Sequence, residues 1–166
     1  MDLKIKKMEK EHWNRVAQIY YQGIITNKAT FQNTVPSYDE WNHGHIDVCR
    51  LVAILNDKVV GWSALSKVSS RCVYAGVAEV SIYVDEKYRG KGIGNKLLGE
   101  LVKLSEKNGF WTLQSGIIEE NFNSINLHKK CGFRILGIRE KVAKMSNGIW
   151  HDVILMERRS NLIGID

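Results

Sequence analysis

The chain has 166 residues, 44% of them hydrophobic and 25% charged, with a single proline. That composition suits one domain (1–166) with a real core, and it excludes a disordered tail, an interdomain linker and an apolar membrane span of about 18 residues. The formal charge of +6 points to an anionic partner, but the lysines are scattered, and without zinc-finger spacing or an aromatic RNA-binding signature nucleic acid is not expected.

Cys49, Cys72 and Cys131 are odd in number and lack metal-ligand spacing; a reduced, cytoplasmic setting is expected. The segment MDLKIKKMEKEHW lacks the apolar core of a signal peptide.

Residues 3–7 read as a first strand. A helix is expected from Glu9 to Ile25, because Trp13, Val16, Tyr20 and Ile24 recur at near-helical spacing. A polar loop with Phe31 follows. Ser37 and Glu40 then form an S-x-x-E capping box that opens a short helix through Asp47. RLVAIL and VVGWSALS, separated by Asn56-Asp57-Lys58, read as a β-hairpin. After a loop carrying Arg71 and Tyr74, VAEVSIYVD reads as a strand. It places Glu79, Ser81 and Tyr83 on one face and Ala78, Val80, Ile82 and Val84 on the other. Ile93, Leu97, Leu98, Leu101, Val102 and Leu104 form the apolar stripe of a helix from Gly92 to Asn108. A buried strand (110–117), a short helix ending at Gly132, and two strands (133–140, 150–158) complete a mixed α/β sheet.

Arg89-Gly90-Lys91-Gly92-Ile93-Gly94 joins a strand to a helix N-terminus. Glycine there lets the backbone turn tightly and approach a ligand, and the free N–H groups of the first helical turn favour a phosphate. The spacing fits neither the dinucleotide-binding G-x-G-x-x-G nor the Walker pattern. His43-Gly44-His45 has no further ligands around it, so no metal is expected.

The R-x-x-G-x-G spacing of Arg89, Gly92 and Gly94, with NFNSINLHKKCGF (121–133) about thirty residues on, resembles the two ordered motifs of GCN5-related N-acetyltransferases. IYYQGIITNKATFQ (19–32), AEVSIYV (78–84) and NGIWHDV (147–153) further resemble the phosphinothricin acetyltransferase group. The resemblance implies a mixed, mostly antiparallel sheet of six to seven strands with about four helices, an α/β (α+β) fold. It implies acetyl-CoA as co-substrate, a homodimer, and acetylation of a small amino acid or analogue of the phosphinothricin, methionine sulfone or sulfoximine type.

Residue roles follow. An α-ammonium must lose a proton before attack, and Glu79, a carboxylate in an apolar strand, is the candidate base. His128 stands where most of the family has tyrosine and is the candidate acid for the departing thiolate. The resemblance places the pantetheine arm beside Ile82, Tyr83 and Val84. It gives the pyrophosphate to Arg89, Gly90, Lys91, Gly92, Ile93, Gly94 and Asn95, with Asn121 and Lys130 as further contacts. Arg71 and Tyr74 are the candidates for a substrate carboxylate, guanidinium matching it in bidentate fashion, and Phe31 for the pocket wall. Trp150 and Asp152 are read as pocket support or dimer contact. A CoA-binding sensor without chemistry, or an acetyltransferase for protein N-termini or lysines, are the competing readings.

Overall fold

The computed structural model describes residues 2–166. The strands are β1 (Leu3–Lys7), β2 (Leu51–Leu55), β3 (Lys58–Lys67), β4 (Val77–Val84), β5 (Thr112–Ile118), β6 (Arg134–Lys144) and β7 (Trp150–Arg159). The helices are α1 (Trp13–Ile25), α2 (Tyr38–Gly44), α3 (Ile93–Lys107) and α4 (Phe122–Lys130). One seven-stranded sheet runs β1-β2-β3-β4-β5-β7-β6. Every pairing is antiparallel except β4 with β5. The mixed, mostly antiparallel fold is therefore as expected.

Several boundaries differ locally. The first helix begins as a 3₁₀ turn, Lys10–His12, and becomes α-helical only at Trp13. The second stops at Gly44 rather than Asp47, because His45 is extended; the Ser37–Glu40 capping box is present as expected. The hairpin turn is two residues, Asn56 and Asp57, both at positive φ, so Lys58 already belongs to β3. Such turns match the twist of paired strands better than a three-residue link.

The alternation in β4 sorts its side chains onto two layers. Ala78 and Val80, flanked by the half-buried Ile82 and Val84, pack into the large core with Leu97, Leu98 and Leu101 of α3. The other layer is aromatic. Trp62 stacks on Tyr83 with centroids 5.0 Å apart, Tyr20 of α1 meets both edge-on, and Trp41 of α2 meets Trp62 edge-on at 5.7 Å. Offset and edge-to-face arrangements of this kind suit ring quadrupoles. Gly23 makes room for the cluster, since a Cβ there would lie 2.6 Å from the Tyr83 ring.

Asp85, at the end of β4, is buried. It accepts from the Lys87 amide at 2.9 Å and from Gln22 at 3.3 Å, and pairs with Arg15. Gln22 also accepts from the Glu86 amide at 3.0 Å. Thus α1 is tied to the segment between β4 and α3. Burial alone would raise the Asp85 carboxyl, but these donors outweigh it and hold it below the usual range. A depressed carboxyl contributes stability above its unfolded pKa, near 4, and loses it as pH falls through the folded value. Asp85→Ala is expected to cost about 2–4 kcal/mol at pH 7, leaving Arg15 unpaired. Urea unfolding should show the difference from wild type shrinking below about pH 4; a constant difference would discount the ion pair.

Candidate active site

The sheet splits at one place. β4 and β5 pair in parallel over only three rungs, the last being Glu79 with Gln114. Beyond it, Val80–Tyr83 and Ser115–Ile118 diverge and line a cleft of about 890 Å³. Three further elements close around the gap. The loop 29–36 supplies Phe31, α2 supplies Glu40 and Trp41, and α4 supplies Asn121, Ser124 and His128. Because the ladder ends at Glu79, its exposed side chain stands at the head of the split, beside its register partner Ser66 on β3. Gly116 lets β5 sit close to β7, as a Cβ there would lie 3.3 Å from Val153.

Past β4 the chain makes the glycine turn. Gly90 and Gly92 have φ of 74° and 77°, in the left-handed region that other residues rarely enter. Their Cβ positions face open space, so conformation rather than crowding calls for glycine. Gly92 is the N-cap of α3, with no side-chain cap, and the first internal bond runs from the Lys96 amide to the Gly92 carbonyl. The amides of Ile93, Gly94 and Asn95 therefore start the helix without internal partners. No acidic residue occupies the first turn. Gly94 brings α3 against α4, its Cβ position being 3.1 Å from Leu127. Arg89 donates through Nε to the Val84 carbonyl at 3.1 Å, tying the turn to β4. Lys91 lies over the Tyr88 ring.

His128 is 1% exposed. Its Nδ1 lies 2.7 Å from the Ser124 carbonyl oxygen, which can only accept, so the ring carries its proton on Nδ1. Nε2 keeps its lone pair, buried and without a partner. Burial pushes the imidazole below its usual pKa, against the Ser124 hydrogen bond. The ring lines the cleft with its Nδ1 engaged by its own helix and its Nε2 left over.

Asn121 caps α4, accepting from the Ser124 amide at 3.4 Å, and also lines the cleft. Tyr83 has its ring in the aromatic cluster and lines the cleft from that side. Lys130 is exposed at the end of α4. Arg71 and Tyr74 are not among the residues that line the cleft in this structure. Their loop closes as a 3₁₀ turn, Cys72–Tyr74, and the Arg71 guanidinium lies 5.5 Å from the Tyr74 ring centroid, both exposed. A local cation–π pair satisfies each with the other. Asp152 accepts from the Lys141 amide at 2.7 Å across a bulge in β6, and Trp150 is exposed beside Lys144. Neither lines the cleft.

Sequence reasoning missed Trp41 and His45 in the cleft wall and read Glu40 only as a cap. His43 and His45 each place Nδ1 2.7 Å from a carbonyl of their own helix segment, Asp39 and Trp41. Among the described residues, no group of three or more potential ligands could hold a metal ion.

A splayed parallel pair beside a glycine turn and an uncapped helix start suits an anionic, phosphate-bearing ligand. Residues 12–133 match the family model described as the Acetyltransferase (GNAT) family, and the chain belongs to that family. It is 30% identical over 147 residues to the L-amino acid N-acyltransferase MnaT of Escherichia coli, covering 86% of this chain and 85% of the relative. It is 25% identical to the L-methionine sulfoximine/L-methionine sulfone acetyltransferase of Salmonella typhimurium, covering 92% of each. The solved phosphinothricin acetyltransferase of Sinorhizobium meliloti in complex with AcCoA superposes with a TM-score of 0.85 at 28% identity, over 96% of this chain and 89% of that one.

Proposed function

We propose that the chain is an acetyl-CoA-dependent N-acetyltransferase for the amine of a small amino-acid-like molecule of the phosphinothricin or methionine sulfone type. The observation that carries this reading is the juxtaposition of the uncapped start of α3 with the split between β4 and β5, at whose head Glu79 stands. The amides of residues 92–95 take the diphosphate, with Arg89, Lys91 and Lys130 adding charge around it. The pantetheine arm lies along the β4 edge that β5 leaves unpaired, beside Ile82, Tyr83 and Val84.

Glu79, directly or through a water, takes the proton that frees the amine lone pair. The nitrogen attacks the thioester carbonyl, a C–N bond forms, and a main-chain N–H near Val84 steadies the oxyanion. The C–S bond then breaks, and the nitrogen gives up its second proton to solvent as the amide forms. A thiolate of ordinary pKa, about 8.5, leaves without an obligatory acid and is protonated by solvent. His128, with its bare Nε2, accepts a hydrogen bond from the amine or from the product thiol. Phe31 forms a wall of the amine pocket.

The cytoplasm is the proposed location, and a homodimer the proposed assembly. β6 is an edge strand exposing Ile135, Leu136 and Ile138, a surface that edge strands usually blunt; a sedimentation mass of one chain would remove the dimer. Thiol release from acetyl-CoA across a panel of amino acids and sulfone, sulfoximine and phosphinate analogues tests the activity. Saturable release that requires a free amine is the expected result. Tight CoA binding without turnover of any amine would favour the sensor reading.

A further inference from the structure

Behind the cleft wall lies a buried histidine that no step of the reaction uses. His151, on β7, is 7% exposed. Its Nδ1 lies 3.1 Å from Oε2 of Glu120, in the turn between β5 and α4, and the carboxylate accepts there. Nε2 is buried and finds no partner. The ring meets Phe31 instead, with centroids 6.2 Å apart and planes at 65°, an edge-to-face contact. Phe31 lines the cleft, and His151 stands behind it.

Phe31 needs such a support. Among the described residues, no main-chain hydrogen bond joins residues 29–36 to another element, so the segment is held by its side chains. Thr30 meets the hydroxyls of Tyr20 and Tyr83, on the β4 bank of the split. Phe31 reaches the other bank, where β7 runs on past the end of β5 to His151. The loop therefore spans the split with an anchor on each side. A position that served packing alone would be better filled by an apolar ring, because a buried nitrogen without a partner costs stability. The Glu120 bond supplies the reason for an imidazole. It fixes how the ring is turned, and so the edge or face that Phe31 meets.

We infer that His151, oriented by Glu120, is a positioning residue that holds Phe31 in place as a wall of the amine pocket and so sets which side chains the pocket accepts. The inference rests on the N-acetyltransferase reading above and adds a specificity device to it. His151 acts through Phe31 and has no part in the chemical steps.

The test is a double-variant cycle read in the thiol-release assay across the amino-acid panel. His151→Ala is expected to raise the amine KM about three- to tenfold, the range of one edge-to-face ring contact, with kcat and the KM for acetyl-CoA within about twofold. Discrimination between the shortest and longest accepted side chains should fall with it. Phe31→Ala should act likewise, and the double variant should be no worse than Phe31→Ala alone, because the two positions work as a unit. His151→Phe restores a ring without the Glu120 bond, and Glu120→Gln weakens that bond from an exposed position. Both should fall between wild type and His151→Ala, and they carry the comparison should His151→Ala fold poorly. Effects that multiply in the double variant, equal rises in both KM values, or a wild-type amine KM in both His151→Phe and Glu120→Gln would overturn this inference and leave the acetyltransferase reading standing. Turnover of no amine by the wild type would overturn both.

Discussion

Gly92→Asp is expected to lower acetyl-CoA affinity about 100-fold while leaving the fold intact. Aspartate tolerates a left-handed backbone better than most residues, and Gly92 sits at φ 77° with open space around its Cβ position. As an N-cap the new carboxylate accepts from the first-turn amides and favours the helix. Those are the amides the diphosphate needs. Two unit charges about 6 Å apart repel by about 3 kcal/mol at an effective dielectric of about 20, which corresponds to the stated loss. Gly92→Asn, with the same shape and no charge, should bind far better than the aspartate variant. Calorimetry on the three proteins gives the comparison. Equal affinities would move the diphosphate away from this turn.

Glu79→Gln should lower kcat by about 10²–10³, the range in which positioned bases usually contribute. The amide is nearly isosteric with the carboxylate it replaces, and the side chain is exposed in the cleft rather than wedged in the core. Urea stability and the KM for acetyl-CoA should change little. A kcat within about threefold of wild type would pass the proton to another acceptor, and His128 Nε2 is the nearest in kind.

Much of this site was legible in the residues themselves. Alternation in residues 78–84 separated Glu79 from the core-facing Ala78 and Val80, because side chains along a strand change face at every step. The stripe from Ile93 to Leu104 and the Ser37–Glu40 box are local signals, and local physics realises them. What stayed hidden depends on partners distant in sequence. Nothing near Gln114 announces that its pairing with Glu79 is the last rung before the strands part. The placement of Arg71 over Tyr74 arises from a short turn that no local motif announces. The orientation of the His128 ring follows from burial under other elements and from one helical carbonyl four residues back. Trp41 looks like an ordinary helix residue until β3 and α1 bring Trp62 and Trp13 against it.

The position of β7 has a consequence for biosynthesis. It follows the other six strands in chain order, yet it lies inside the sheet, between β5 and β6. Until Trp150–Arg159 leaves the ribosome, β5 has no neighbour on that side and β6 has none at all. Vectorial synthesis can therefore shape the β1–β4 half early, while the wall of the cleft that β5 provides waits for β7.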